Sequence, residues 1–164
     1  SLNYDLTQLE LAISKKTRIV LAVNLLGNPN NFDSINKIIK NKDIILLEDN
    51  CESMGATFNN KKTGTFGAMG TFSSFYSHHI STMEGGIIVT DDAELHQILI
   101  SLRSHGWTRE LPEKNFICDD KSDDYLEESF RFVLPGYNVR PLELEGALGI
   151  EQVKKLPMII FPKI

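Results

Sequence analysis

Residues 44–50 read IILLEDN: Ile44-Ile45-Leu46-Leu47, then at once Glu48-Asp49-Asn50. Four apolar residues in a row suit a strand covered on both faces, as in a parallel sheet. The switch to acids marks its carboxyl end. Upstream, residues 18–23 (RIVLAV) make a second run of the same kind. Between them Gly27-Asn28-Pro29 breaks the chain, and Asp33 stands ready to cap a helix whose Ile35, Ile38 and Ile39 share one face. Strand, helix, strand predicts an α/β fold with a mainly parallel sheet. Ligands in such sheets sit beyond the carboxyl ends of the strands.

The pattern continues in both directions. Thr7-x-x-Glu10 is a capping-box spacing that predicts a short helix before the first strand. Residues 71–75 and 86–89 read as two more strands. Asp91-x-x-Glu94 opens a helix with Leu95, Ile98, Leu99 and Leu102 on one stripe. Pro141 suits the first turn of a last helix, with Leu144, Ala147 and Leu148 turned inward and Gly146 and Gly149 hinting at close packing.

Composition narrows the function. The 164 residues suit one domain, and 41% hydrophobic with 24% charged residues excludes a disordered tail. A net charge of −5 argues against nucleic acid or an anionic membrane as partner. No run approaches the roughly 18 apolar residues of a membrane span, and no signal peptide opens the chain. Cys51 and Cys118 are too few for a disulfide framework, so reduced thiols in the cytoplasm are expected. The charge imbalance lies in residues 111–130, with acids Glu113, Asp119, Asp120, Asp123, Asp124, Glu127 and Glu128 against Lys114 and Lys121. That cluster reads as a solvated loop, since it lacks the glycine and terminal glutamate of a calcium loop.

Four places carry chemistry. Asp49, directly after a strand, is set either to hold a cationic ring nitrogen or to cap the next turn, and Glu52 can share its crevice. Residues 70–79 (GTFSSFYSHH) end in two histidines, His78 and His79, beside the hydroxyls of Ser73, Ser77, Ser81 and Thr82. No C-x-x-C or H-x-x-x-H spacing completes a zinc site there, and no metal is expected. Glu84-Gly85-Gly86 gives a tight turn or a close backbone approach. Asn138 and Arg140, after Pro135-Gly136, suit an anion near a helix start.

Together, EDNCESMGA (48–56), GTFS (70–73), HHISTMEGG (78–86) and GYNVRPLE (136–143) resemble the DegT/DnrJ/EryC/StrS family of vitamin-B6-dependent sugar aminotransferases. The resemblance covers residues 18–157 and implies the large domain of the aspartate-aminotransferase fold (fold type I), a three-layer, mainly parallel α/β sheet. It implies that residues 1–164 are an incomplete, central part of that domain, with its N-terminal part and the C-terminal small domain absent. Where the family's aminotransferases hold pyridoxal phosphate on a lysine, this chain has His78. An imidazole cannot make that covalent link, yet it can move a proton.

The resemblance therefore points to the 3-dehydratase branch, which removes the C3 hydroxyl of a nucleotide-linked 4-keto-6-deoxy sugar, with a GDP-linked sugar favoured. The cofactor implied is pyridoxamine phosphate, restored from pyridoxal phosphate by glutamate. His78 is then the catalytic base. Asp49 pairs with the pyridinium nitrogen, Glu52 lies near the ring hydroxyl, Cys51 packs on the ring and Ser73 binds the phosphate. Asn138 reaches the cofactor of the neighbouring subunit in a homodimer with shared sites, and Arg140 braces its turn. The alternatives are a sugar aminotransferase using another lysine, the CDP-sugar 3-dehydrase, and a non-catalytic fragment. The CDP-sugar enzyme holds an iron–sulfur cluster, for which two cysteines are too few.

Overall fold

The computed structural model describes residues 2–160 and divides into two units, residues 2–89 with 143–160, and residues 90–142. In the first, α1 (Leu6–Ala12), β1 (Ile19–Val23), α2 (Phe32–Ile39) and β2 (Ile45–Asp49) lead through a small hairpin, β3 (Thr57–Phe58) and β4 (Lys61–Lys62), to β5 (Met69–Ser73) and β6 (Gly86–Val89). The main sheet runs β1-β2-β5-β6, with β1, β2 and β5 parallel and β6 antiparallel to β5. The mainly parallel α/β sheet is thus as expected.

Only one face of that sheet is covered. Val20, Ala22, Leu46 and Glu48 are buried, whereas Ile19 is 54% exposed, Leu21 47% and Ile45 50%. Two apolar runs that read as strands buried on both faces are, in this chain, buried on alternate residues. The covered face packs on α2, where Phe32 and Ile35 have no exposure. Burying side chains of that size contributes about 1.5–3 kcal/mol each. Phe66 stacks on Phe32 at 4.2 Å between centroids, and Phe58 meets both rings edge-on at 5.9 Å.

Several caps differ from expectation by a residue or two. Asp5, not Thr7, caps α1 by accepting from the Thr7 and Gln8 N–H groups. Asn31 caps α2 through the Ser34 N–H, leaving Asp33 in the first turn. In each case a short polar side chain one or two positions earlier reaches the unsatisfied N–H first. The last helix of the first unit, α5 (Glu143–Ile160), begins two residues after Pro141. Leu144, Ala147 and Leu148 do not face inward; all three are exposed, and α5 buries no residue. Gly149 does sit close to a neighbour, since a Cβ there meets the Thr82 methyl at 3.3 Å, but Gly146 has open space around it.

The second unit holds α3 (Ala93–Arg103), the two-stranded pair β7 (Lys114–Asn115) and β8 (Asp119–Asp120), and α4 (Tyr125–Ser129). Asp92 caps α3 through the Leu95 N–H. The acidic stretch is more than a solvated loop. The Glu128 carboxylate accepts from the buried Thr108 hydroxyl and from the Ser122 N–H at 3.0 Å, and lies 3.7 Å from Arg131. Burial pushes the Glu128 pKa up, but the Thr108 and Ser122 hydrogen bonds with Lys121 and Arg131 outweigh it and hold it below the usual 4.5. A lowered carboxylate pKa stabilises the folded state above pH 4.5, and that stability is lost as pH falls through the folded-state value. Fluorescence of Trp107, the chain's one tryptophan, is expected to report acid loosening of this unit in that window. Glu128→Gln should remove the pH dependence.

Candidate active site

β2 separates two acidic neighbours by the pleat. Successive strand residues point to opposite faces, so Glu48 enters the covered side and Asp49 the uncovered one. The Glu48 carboxylate, fully buried, accepts three backbone N–H groups: Gly64 at 2.6 Å, Phe66 at 2.5 Å and Gly67 at 2.9 Å. That anion fixes the 64–67 turn against the sheet. The fit is tight at Gly70, where a Cβ would lie 2.5 Å from the backbone of Gly64.

Asp49 stands level with Val23 of β1 and Thr71 of β5, at the carboxyl ends of β1 and β2. Its Oδ1 accepts the Cys51 N–H at 3.0 Å, so the turn-capping role is present. That bond occupies one lone pair and leaves the residue only half-buried at the ligand end of the sheet. The Cys51 thiol is pushed up to about 11, first by burial and then by its hydrogen bond to Asp49 and the charge of that carboxylate. Cys51 is thus a neutral packing group. At pH 8 it should react with a thiol reagent far more slowly than an ordinary cysteine, and Asp49→Asn should speed it, as alkylation rates will show.

The two histidines ride on the connection between β5 and β6. The β5–β6 ladder ends at Ser73 and Gly86, and loop hydrogen bonds take over: the Ser74 N–H donates to Gly85 O (3.1 Å), Thr82 N–H to Ser74 O (2.8 Å) and Tyr76 N–H to Met83 O (3.1 Å). The Thr82 hydroxyl closes the neck on Glu84 O at 2.7 Å, with the Ser74 hydroxyl 2.8 Å away. Gly85, at φ +138°, is required there, since a Cβ would lie 2.5 Å from the Ser74 hydroxyl. The strand thus stops at Ser73 rather than Phe75, because residues 74–85 fold into this loop.

At the loop's tip, Ser77, His78 and His79 line a cleft of about 420 Å³ together with Glu52 and Leu26. Glu52 Oε2 accepts the Leu26 N–H at 2.7 Å. Leu26 takes a left-handed conformation (φ +52°) that branched side chains rarely adopt. Its signal in the sequence was no more than the Gly27-Asn28-Pro29 break, so it was missed. The Nδ1 of His79 is buried with no hydrogen-bond partner among the described residues. The Ser73 hydroxyl accepts the Phe75 N–H at 3.1 Å. Among the described residues no group of three His, Cys, Asp or Glu side chains is placed to hold a metal ion.

In the second unit, taken by itself, Asn138 is exposed and bridges Ser104, while the Arg140 guanidinium lies over the Trp107 ring at 5.6 Å. Glu52 and His78 share one cleft and Asp49 with Cys51 stands at the strand ends, whereas Asn138 belongs to the other unit.

Residues 1–163 match the model of the DegT/DnrJ/EryC1/StrS aminotransferase family. The chain belongs to this family. Among curated members it is 70% identical over 160 residues to GDP-4-keto-6-deoxy-D-mannose 3-dehydratase of Escherichia coli O55:H7 (strain CB9615 / EPEC), covering 98% of this chain and 41% of that protein. The enzyme of the same name from Yersinia pseudotuberculosis is 66% identical over the same shares. A solved GDP-4-keto-6-deoxymannose-3-dehydratase with a trapped PLP-glutamate geminal diamine superposes with a TM-score of 0.92 at 70% identity, over 95% of this chain and 40% of that one. A mutant of that enzyme with bound GDP-perosamine gives 0.91 at 70%, over the same shares. The chain thus spans about two fifths of these family members and has the aminotransferase fold.

Proposed function

We propose that this chain is the central part of the cofactor-binding large domain of a sugar 3-dehydratase. The proposed reaction removes the C3 hydroxyl of GDP-4-keto-6-deoxymannose in deoxysugar and lipopolysaccharide biosynthesis, in the cytoplasm. The observation that carries the proposal is the His78 imidazole in the cleft with Glu52, where the family's aminotransferases have lysine. The relatives at 66–70% identity share the activity named, and their structures with a PLP adduct and a GDP-sugar support the cofactor, glutamate and the nucleotide.

The residues present fit pyridoxamine phosphate. A half-buried carboxylate stands at the strand ends, the adjacent thiol is neutral, and among the described residues no lysine lines the cleft. When bound, the cofactor would supply an amine for the C4 ketone and a ring that takes up the electrons left at its C4′ carbon. Asp49 would keep the ring nitrogen protonated, Glu52 would accept at the ring hydroxyl and Ser73 would bind the phosphate. Cys51 packs on the ring. His78 would take a proton at the cofactor C4′ carbon and return it to the oxygen departing from C3. Asn138 serves the neighbouring subunit's cofactor in a homodimer. The uncovered sheet face is packed by further parts of the large domain, because parallel sheets are covered on both sides.

Titrating the chain with pyridoxamine phosphate tests the pocket by ring absorbance and thermal shift. A ligand bound only by the folded state raises its stability as its concentration exceeds Kd. Saturable binding is expected, abolished by Asp49→Ala and kept by His78→Ala. Binding that Asp49→Ala leaves intact removes Asp49 from the site. No binding by the unaltered chain removes the pocket from this segment.

A further inference from the structure

A base that takes a proton and returns it must be aimed without having its nitrogens tied up. Most histidine bases are aimed by a hydrogen bond from one ring nitrogen to a carboxylate or carbonyl. Among the described residues, no hydrogen bond or ion pair holds the His78 ring. Its one directional contact is with Phe75, at 6.4 Å between centroids and 61° between planes. Rings at that separation and tilt are in the edge-to-face range. The contact is built by the backbone: the His78 N–H donates to Phe75 O at 3.0 Å, closing a tight turn. Phe75 is itself anchored, its N–H by the Ser73 hydroxyl at 3.1 Å and its ring by Tyr76 at 4.4 Å.

We propose that Phe75 is the positioning residue of this site, holding the His78 imidazole by ring contact so that both nitrogens stay available to the reaction. The inference rests on the proposed role of His78 as base. It links Ser73 to His78 through one turn, so that the residue assigned to the phosphate also sets the direction of the base. Glu52, Ser77 and His79 share the cleft with His78, and none of them is hydrogen-bonded to its ring.

The test has a part that needs no cofactor. In the 164-residue chain, nuclear Overhauser contacts between the Phe75 and His78 ring protons are expected, with His78 in one rotamer. Phe75→Leu should average that rotamer, whereas Phe75→Tyr should keep it. In the enzyme that carries this segment, Phe75→Leu is expected to lower kcat about tenfold with KM unchanged, as a misaimed group does. Phe75→Tyr should restore it. Absent ring contacts, or a Phe75→Leu enzyme with unaltered kcat, would overturn the proposal. A Phe75→Leu enzyme in which KM rises and kcat holds would overturn it too, by showing a role in binding alone. His78→Asn with full activity would instead remove the base itself, and the cofactor-free contacts tell the two failures apart.

Discussion

His78→Asn in the enzyme that carries this segment is expected to lower dehydration about 10³-fold while leaving pyridoxamine phosphate bound. The size follows from what a positioned general acid–base contributes, typically 10²–10⁴-fold. Asparagine keeps a polar group at the Nδ1 position, so the cleft with Glu52 and Ser77 need not rearrange. What it loses is the capacity to carry a proton near neutral pH. Rates with the sugar nucleotide, beside a cofactor titration, separate the two effects. A variant that keeps a tenth of the activity would place the proton transfer elsewhere, and His79, with its unpartnered Nδ1, would be the next to remove. The converse change is as direct. His78→Lys puts a primary amine on the loop, and a new absorbance band with pyridoxal phosphate is expected. No band would mean that residue 78 does not face the cofactor.

Glu48→Gln should cost about 3 kcal/mol and Glu48→Ala more, read from urea unfolding of the chain. Three backbone N–H groups converge on this buried carboxylate within 2.9 Å. Hydrogen bonds to a charged group are worth about 1.5–3 kcal/mol each, and stranding buried donors adds their desolvation. Glutamine presents one oxygen and turns an NH2 toward N–H groups, so at least one donor is lost. Alanine strands all three. The damage should spread to the core, because the anchored turn carries Phe66 onto Phe32. A Glu48→Gln chain of unaltered stability would show that the 64–67 turn is held by packing rather than by the carboxylate.

The adjacency of Glu48 and Asp49 shows how far the sequence could be read. Both were visible as acids ending a strand, and Asp49 could be tied to a ring nitrogen through family resemblance. That Glu48 is the structural anion was not legible, because its three partners lie 16–19 residues away in a glycine-rich turn. His78 stood out through its neighbours and motif, but Phe75 did not. A ring beside a strand looks like core until the loop's hydrogen bonds show the strand ending at Ser73. Helix caps drifted by one or two residues because several short polar side chains compete for the same N–H groups. The inward face expected for α5 failed for another reason: an apolar residue on a helix says that something covers it, not that this segment does.

Local order was set by the sequence alone. Apolar runs with abrupt polar ends specify strands, and the family motifs specify which end holds the chemistry. Those signals act between near neighbours, where backbone propensity and side-chain alternation suffice. Which of two adjacent carboxylates is buried, which sheet face is covered, and how Glu52 of one turn meets His78 of a distant loop were decided only in three dimensions. They depend on contacts between residues far apart in the chain, whose free energy comes from burial and from pairing groups that cannot find water.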